Sequence, residues 1–569
     1  MIDTANQVSE KSWISSATRI GWGVLILATL YVCYFSHLGA IGFVGPDEPR
    51  YAWIARDMME TGDWITPRLY GKPWFEKPVL YYWGAALCFK LFGVSEAAAR
   101  LPSAVSALLA TLALSWLALR LYGAETARWL LLLLPTTVGM IGFSHAAAPD
   151  MPFTGMLTIA MVAAAVVIGL VPQTTAPSSF VSLTSSTSSA AVLFGFSLGL
   201  AVLAKGPAAI ILCGGTVFFW ALFTKRWRDA FRLLHPTPLI AFCVTALPWY
   251  ILCARRNPDF FHVFIIEHNF KRYLTPEFQH IQPFWFYIPI LLIAFLPWTG
   301  AMIWTSVAGG TRVSQTKELS PLSFFLLSWS LFVMLFFTVS QSKLPGYILP
   351  AVPAFGLLLA SASCSLAVKH RRSFGVAVAV FTLLCVGVSE FAARPNPHLN
   401  AASQSLQMAV SFLLIMIALA NAFVAAGFLF ATTGWVRSLM IALSVVPILF
   451  IFLTAEELVS GLVPLSSRDL ARQLLAQHVP AEHTFIYHGI SRGLRYGLNF
   501  YLGREVPDWD QNPDVDAYVV SGSLRCKQLQ EQGVRCREVP LGSSASGWFV
   551  SHVTLNGSAA GPPDGGKPQ

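Results

Sequence analysis

Thirteen long apolar runs constrain the fold of this chain more than any other feature of its sequence. A helix that crosses the hydrocarbon core of a bilayer needs about 20 apolar residues, and the runs are of that order. With 55% hydrophobic and 12% charged residues over 569 positions, the chain is too apolar to be soluble. The sequence therefore predicts an α-helical polytopic membrane protein. The runs lie near residues 22–42, 102–119, 129–146, 152–171, 188–204, 207–223, 236–254, 284–303, 322–340, 347–368, 374–391, 407–429 and 438–455.

Basic loops predict how these runs are oriented. If the N-terminus is cytoplasmic, the loops that carry Arg120, Arg228 and Arg372 all fall on the cytoplasmic side, as the positive-inside rule requires. The segment 79–95 could be a further span, but counting it would place the Arg120 loop outside, so we predict a helix that lies in the membrane interface. The predicted extracytoplasmic parts are 43–100, 146–151, 255–283, 341–347, 392–406 and everything after 456.

The composition changes from about Ser466 onward. The stretches "HTFIYHG" and "DAYVVSG" are typical of strands, and "SRGLRYGLNFYLG" and "SLRCKQLQEQG" are typical of helices. We predict a transmembrane catalytic domain over 1–455 and a small C-terminal α/β domain over 456–569, with a disordered Gly/Pro-rich tail from Gly557. Cys526 and Cys536 would form a disulfide if this domain is extracytoplasmic, and two free thiols are the alternative.

Charge and motif content exclude several functions. The net charge of +9 is explained by basic cytoplasmic loops, so no nucleic-acid partner is implied. The spans carry almost no acids or bases, which argues against an ion-coupled carrier but leaves a flippase open. Neither a Gly-rich phosphate loop nor a soluble nucleotide-binding domain precedes the membrane part. If a sugar is transferred, its donor is therefore predicted to be a lipid phosphate.

Two acidic stretches begin predicted extracytoplasmic helices. Asp47 and Glu48 lie in "GPDEPRYAWIARDMMETGDW", and Asp150 lies in "HAAAPDMP". One interpretation is helix capping, with Pro49 or Pro152 opening the helix. The other is chemistry, because two acids at successive helix starts can converge on one cavity. There they can orient an acceptor, take its proton or support positive charge on a sugar carbon.

Basic residues on the same predicted face suggest a phosphate site. Lys77 in "GKPWFEKP" is either an interfacial anchor that extends its ammonium to water or a phosphate ligand. Lys205 in "LAKGPAA", Arg272 in "EHNFKRY", and Lys343 with Tyr347 in "SKLPGYILP" strengthen the second interpretation. Several cations at one membrane depth would suit the phosphate of a lipid.

A metal site is the less favoured interpretation of a nearby acid and histidine cluster. His262, Glu267 and His268 could bind zinc together with Glu76, but no pair among them has the spacing of a recognised helix-face motif. We therefore predict that no cofactor is required. A divalent metal near Glu76 and His268 is the alternative.

Five stretches together resemble the integral-membrane GT-C glycosyltransferases, and within them the bacterial 4-amino-4-deoxy-L-arabinose transferases that modify lipid A, relatives of the protein O-mannosyltransferases. The resemblance implies a GT-C fold with interfacial helices in the first extracytoplasmic loop, and a monomer in the bacterial inner membrane whose active site faces the periplasm. The stretches are "DEPRYAWIARDMMETGDWITPRLYGKPWFEKP", "APDMP", "LAKGP", "EHNFKRY" followed by "QPFWFYIP", and "SKLPGYILP".

The same resemblance implies an activity and a set of site residues. The enzyme would transfer the sugar from undecaprenyl phosphate to lipid A phosphate with inversion, and another sugar or another lipid, glycan or protein acceptor stays open. Two departures from the family pattern are Pro49, where threonine is expected, and an insertion over 173–189. Asp47 would be the principal catalytic acid, with Asp150 and Glu48; Lys77, Arg272 and Tyr347 would hold the donor phosphate, supported by Lys205 and Lys343.

Overall fold

The computed structural model divides the chain into two compact units. The first comprises Met1–Ala40, Ile54–Arg68 and Lys72–Val459, and the second comprises Ile41–Trp53, Leu69–Gly71 and Ser460–Gln569. The predicted tail from Gly557 and most of the 173–189 insertion lie outside the described residues. The structure describes residues 19–172, 187–275, 281–316, 320–394, 401–462, 467–487, 489–509, 516–522, 526–531, 535–540 and 549–554.

The first unit is built from long apolar helices. Within the described residues, nine helices are long and apolar enough to cross a membrane, or eleven if each of two bent pairs is one span. Two shorter apolar helices are Arg19–Tyr34 and Ala208–Thr224. Each predicted run coincides with one of these elements, which confirms the predicted helical fold class, while the number of crossings stays a prediction. The nine are Glu96–Tyr122, Asp150–Val167, Thr187–Lys205, Pro236–Arg256, Pro321–Val339, Pro345–Lys369, Arg371–Ala392, Gln407–Leu429 and Gly434–Thr454.

Proline residues coincide with both sharp bends. The helices Ala124–Leu133 and Val138–Ser144 meet at 60°, and Tyr287–Ala294 and Thr299–Gly310 meet at 116°. Each break contains one proline, Pro135 or Pro297. Proline cannot donate a backbone hydrogen bond and its ring clashes with the preceding turn, so the helix is interrupted there.

The segment predicted to lie in the interface forms the helix Leu80–Phe92, of 13 residues. At 1.5 Å of rise per residue it is about 20 Å long, too short for a core about 30 Å thick. One side buries Tyr82 completely, while Leu91 and Phe92 are 64% and 67% exposed. An apolar exposed face on a short helix is what interfacial insertion requires, and the interfacial position stays a prediction.

Small residues allow the spans to pack closely. A Cβ atom on Gly155 would lie 2.7 Å from the carbonyl oxygen of Ser106, and one on Gly199 would lie 2.8 Å from the Cβ of Thr245. Such close backbone approach is how helices associate in membranes, where neighbouring lipid is as apolar as the side chains. Gly155 lies in the helix that begins at Asp150, and Gly199 lies in the helix that ends at Lys205, so these contacts position both helices.

Short elements connect the spans. A strand pair follows the helix Asp47–Thr61, a π-helix precedes Arg272, and a 3-10 helix leads into the helix that ends at Lys369. Their bounds are Asp47–Thr61, Arg68–Leu69, Lys72–Pro73, Trp227–Ala230, Phe231–Leu234, His262–Lys271, Arg272–Leu274 and Pro345–Ala351.

The second unit contains a small α/β domain. Its four strands run in the order Thr484–Ile486, Ala517–Ser521, Phe549–Thr554, Arg535–Val539, and only the first pair is parallel. The helices Arg492–Leu502 and Cys526–Glu531 and the first two strands match the predicted segments. The strands Phe549–Thr554 and Arg535–Val539 were not predicted, and a further helix covers Ser467–Ala476. Cys526 and Cys536 form a disulfide, as predicted.

The second unit also includes residues from the loop 43–100, which was predicted to be extracytoplasmic. The ring of Phe43 packs on those of Phe500 and Tyr501, with centroids 4.9 and 5.9 Å apart. The Phe43 backbone N–H donates to the Tyr501 hydroxyl at 2.9 Å. Contacts between residues so distant in sequence explain why the start of the helix Asp47–Thr61 belongs to this unit, whereas the sequence assigned all of 43–100 to the membrane domain.

Candidate active site

Three cations surround two carboxylates in the first unit. Arg272 Nη1 donates to Glu76 Oε1 at 3.2 Å, and Lys77 Nζ lies 3.8 Å from the same oxygen. Lys205 Nζ donates to Asp150 Oδ1 at 2.6 Å. These five side chains are only 10–20% exposed. The cluster carries one more positive charge than negative, so it is suited to an anion.

Helix ends position the Asp150–Lys205 pair. Asp150 is the first residue of its helix and Lys205 is the last residue of the helix Thr187–Lys205. The backbone dipole favours an acid at the N-terminus and a base at the C-terminus. Both side chains lie where the dipoles favour their charges, and the Asp150 carboxylate binds the Lys205 ammonium. The Asp150 helix starts two residues before Pro152, the predicted start.

An aromatic contact anchors the loop that carries Lys77. The Phe75 ring is 7% exposed and packs edge-on against Phe260 at 5.2 Å. Phe260 in turn stacks on Phe264 of the π-helix at 5.6 Å. This chain of rings brings Glu76 and Lys77 to the segment that ends at Arg272.

The surroundings of Lys77 lower the pKa of its ammonium group. Burial, and then the positive charge of Arg272, lower the Lys77 pKa to about 8, although Glu76 opposes the shift. Burial likewise lowers the pKa of His268, against the raising effect of Glu76. At neutral pH Lys77 remains largely charged, and an incoming anion would stabilise its ammonium further.

Tyr347 extends the cluster, and Lys343 makes a contact within its own loop. The Lys205 ammonium lies 4.9 Å from the centre of the Tyr347 ring and 5.6 Å from that of Phe153, within cation–π distance. Lys343 is 8% exposed, and its ammonium donates to the carbonyl oxygen of Ser340 at 2.7 Å.

Asp47 and Glu48 belong to the second unit and differ from each other. The helix begins at Asp47, two residues before the predicted start at Pro49. Glu48 is 7% exposed, and its Oε2 accepts from the Val44 N–H at 2.7 Å, so it ties the first turn of the helix to the backbone that precedes it. The Asp47 side chain is 55% exposed and therefore available to a substrate.

Sequence reasoning missed the partner of Asp47. Arg50 Nη2 donates to Asp47 Oδ1 at 2.6 Å, and Arg50 is 3% exposed. The guanidinium lies 5.3 Å from the Tyr51 ring and 5.7 Å from the Tyr496 ring. The spacing of three residues between Asp47 and Arg50 was the only local sign of this ion pair. The contact with Tyr496 could not be read from the local sequence, because Tyr496 comes from the C-terminal domain.

The metal interpretation gains no geometric support in the described part of the chain. Those residues contain no group of three or more His, Cys, Asp or Glu side chains able to hold a metal ion. His262 Nε2 lies 3.5 Å from Glu267 Oε1, and this histidine side chain is 65% exposed. Metal independence stays a prediction.

Gly346 lies next to Asp150 and offers a first test of how closely the side chains around Asp150 are packed. A Cβ on Gly346 would lie 2.7 Å from the Phe143 ring and 3.0 Å from Asp150 Oδ1. We expect Gly346→Ala to destabilise the protein by about 1–3 kcal/mol through overpacking. Gly142→Ala is the control, because no atom lies within 4 Å of its added Cβ. Thermal unfolding measures both, and equal melting temperatures would contradict the packing described.

The chain is similar to proteins of one group. The family model for dolichyl-phosphate-mannose-protein mannosyltransferase matches residues 22–264. Proteins named undecaprenyl phosphate-alpha-4-amino-4-deoxy-L-arabinose arabinosyl transferase are 33% identical over 343 residues in Edwardsiella ictaluri (60% of this chain, 59% of the relative) and 33% identical over 366 residues in Sodalis glossinidius (64% of each). The matched part spans less than two thirds of these relatives' length.

A solved structure is similar over nearly the whole chain. ArnT from Cupriavidus metallidurans bound to undecaprenyl phosphate superposes with a TM-score of 0.77 at 25% identity, covering 95% of this chain and 99% of that one. Its apo form gives 0.73 at 25% identity, covering 94% and 98%. Together these similarities support a GT-C glycosyltransferase of the ArnT family, which is related to protein mannosyltransferases.

Proposed function

We propose that this protein is an inverting glycosyltransferase that moves 4-amino-4-deoxy-L-arabinose from undecaprenyl phosphate to a phosphate of lipid A. The observation that carries the proposal is the cluster of Lys77, Arg272 and Lys205, which has an excess of positive charge in a partly buried site. A related ArnT binds undecaprenyl phosphate. The relatives' names supply the sugar, and the lipid A acceptor is inferred from the family resemblance.

The positive-inside rule supports a periplasmic site in the bacterial inner membrane. Lys77, Arg272 and Tyr347 come from the three loops 43–100, 255–283 and 341–347, all predicted on the extracytoplasmic side. Their convergence in one cluster is what that topology requires. We propose that the protein acts there as a monomer and without a metal.

The proposed reaction is a single displacement. An acceptor phosphate oxygen attacks the anomeric carbon, the new C–O bond forms on the face opposite the leaving group, and the bond to undecaprenyl phosphate breaks. The leaving phosphate keeps the bonding electron pair. Lys77 and Arg272 stabilise that charge as it develops, with Lys205 and Tyr347 beside them.

The acids have different proposed roles. A phosphate acceptor is already anionic near neutral pH, so no strong base is obligatory. Asp47 would orient the reacting groups or stabilise positive charge on the sugar, and Asp150 would hold Lys205 in place. Glu48 would act indirectly, by fixing the helix start that carries Asp47. Lys343 would add positive potential from its own loop.

Product analysis tests the proposal. Purified protein is incubated in vesicles with lipid A and a panel of undecaprenyl phosphate-linked sugars, and lipid A is analysed by mass spectrometry. The proposal predicts a mass gain of one aminoarabinose only with that donor. A gain with another sugar would refute the assigned substrate, and movement of donor across the vesicle membrane without any covalent product would identify a flippase.

The Lys77 pKa predicts how donor affinity depends on pH. Since the free protein loses the Lys77 charge as pH rises through about 8, binding above that pH must first restore a proton. Affinity for undecaprenyl phosphate should fall by up to about tenfold per pH unit there. The phosphate itself, with a second pKa of about 6, does not change charge in this range.

Equilibrium titrations of undecaprenyl phosphate from about pH 7 to 9 measure the effect. Lys77→Arg should move the decline to higher pH, and a decline unchanged by this substitution would exclude Lys77 as its cause.

A further inference from the structure

An apolar cavity lies in the first unit, and none of the five charged residues of the cation cluster lines it. It has a volume of about 320 Å³ and lies between the helices Thr187–Lys205, Ala208–Thr224 and Pro236–Arg256. Phe194, Val217 and Leu233 are among its buried lining residues. The helix that follows Lys205 runs away from that residue and ends at Thr224, so the cavity lies toward the opposite end from the candidate active site.

An amphipathic segment lines the cavity. Trp227, Phe231 and Leu234 contribute to the lining and are 37%, 62% and 59% exposed. Their spacing of four and three residues places them on one side of a helical segment. Aromatic and apolar residues exposed in this way are typical of a segment that lies at the membrane surface.

The same segment carries a surplus of positive charge. Arg226 Nε and Arg232 Nη2 pair with Asp229 at 2.7 and 3.1 Å. Lys225 and Arg228 are exposed, and in the part of the chain that the structure describes neither has an acidic partner. Two cations are therefore available on the segment whose apolar residues line the cavity.

We propose that this cavity binds one acyl chain of an anionic phospholipid, whose headgroup phosphate is bound by Lys225 and Arg228. The lining is almost entirely apolar, so water would find few hydrogen-bond partners there, and without an apolar occupant the lining would lose dispersion contacts. Membrane lipid is the apolar material that surrounds the spans. The exposed cations select the anionic lipids of the leaflet. This inference does not depend on the transferase function.

Gly214 gives a direct way to fill the cavity. It lines the cavity, and no atom lies within 4 Å of the Cβ that a substitution would add. Gly214→Phe should occupy the space of the acyl chain. Gly387→Phe is the matched control, because it also adds a ring to a span where no atom lies within 4 Å of the new Cβ.

The full-length protein is purified in mild detergent, washed, given phosphatidylglycerol or phosphatidylethanolamine, and analysed for retained lipid by mass spectrometry. Wild type and Gly387→Phe should retain phosphatidylglycerol in about equimolar amount, and Gly214→Phe about tenfold less. Equal retention by Gly214→Phe would overturn the proposal, as would equal retention of both lipids by wild type. If Gly214→Phe does not fold, as judged by thermal unfolding, the charge variants below decide the question.

The headgroup contact has its own control. Lys225→Gln with Arg228→Gln should remove the preference for phosphatidylglycerol over phosphatidylethanolamine. Lys369→Gln with Arg372→Gln, which removes two exposed cations from another loop, should leave the preference intact. A preference that survives the first pair of substitutions, or is lost equally with the second, would refute the assigned headgroup site.

Discussion

Asp47→Asn is expected to reduce the proposed transfer of aminoarabinose to lipid A by about 10²- to 10⁴-fold, the range typical of removing a catalytic acid or a charge-stabilising group. The substitution keeps the shape of the side chain but removes the negative charge of the carboxylate, whose Oδ1 accepts from Arg50 at 2.6 Å. Because the Asp47 side chain is 55% exposed, the free energy of unfolding should fall by only about 1 kcal/mol. Turnover and thermal unfolding of the same preparation measure both effects.

Glu60→Gln is the matched control for this prediction. Glu60 lies on the same helix, its side chain is 50% exposed, and it pairs with Arg56 at 2.6 Å. This substitution should leave turnover within about twofold of wild type, since surface changes of this kind cost within about 0.5 kcal/mol. Asp47→Asn with wild-type turnover would remove Asp47 from the mechanism. A loss of turnover that matches the loss of folded protein would give it a structural role only.

Lys77→Ala is expected to weaken binding of undecaprenyl phosphate by about 10- to 150-fold, the equivalent of the 1.5–3 kcal/mol typical of a hydrogen bond to a charged group. Arg272→Gln should weaken it at least as much. That substitution removes one cation and also releases Glu76, whose carboxylate accepts from Arg272 at 3.2 Å and would then repel the phosphate. Binding is measured by titrating undecaprenyl phosphate into protein held in lipid nanodiscs.

Lys72→Ala is the control for the loss of a lysine from the same loop, because Lys72 is exposed. It should bind undecaprenyl phosphate like wild type. The double variant of Lys77 and Arg272 completes a thermodynamic cycle. If both cations hold one phosphate, the two effects should depart from additivity by more than about 0.5 kcal/mol. Additive effects, or unchanged affinity in Lys77→Ala, would place the phosphate elsewhere.

The membrane fold was predictable because the relevant signals are local. An apolar run of about 20 residues is sufficient to predict a span, and the bends at 60° and 116° fall where Pro135 and Pro297 interrupt the helices. Which residues make up the second unit could not be predicted from local sequence patterns. Phe43 joins it through Phe500 and Tyr501, and no pattern around Phe43 indicates partners so far along the chain.

The site was predictable in part for a similar reason. Prolines, helix ends and family motifs identified Lys77, Asp150 and Arg272 individually. The sharing of one carboxylate, that of Glu76, between Lys77 and Arg272 depends on the packing of distant loops. The support of Arg50 by an aromatic ring of the C-terminal domain likewise required the tertiary structure.

The transfer reaction itself is tested most directly by comparing lipid A after incubation with undecaprenyl phosphate-linked aminoarabinose and either wild-type protein or Asp47→Asn. We expect the mass spectrum to show lipid A that has gained one aminoarabinose with wild type, and unmodified lipid A with the folded variant. Unmodified lipid A with folded wild-type protein, or equal modification by both, would contradict the proposed activity or the role of Asp47, respectively.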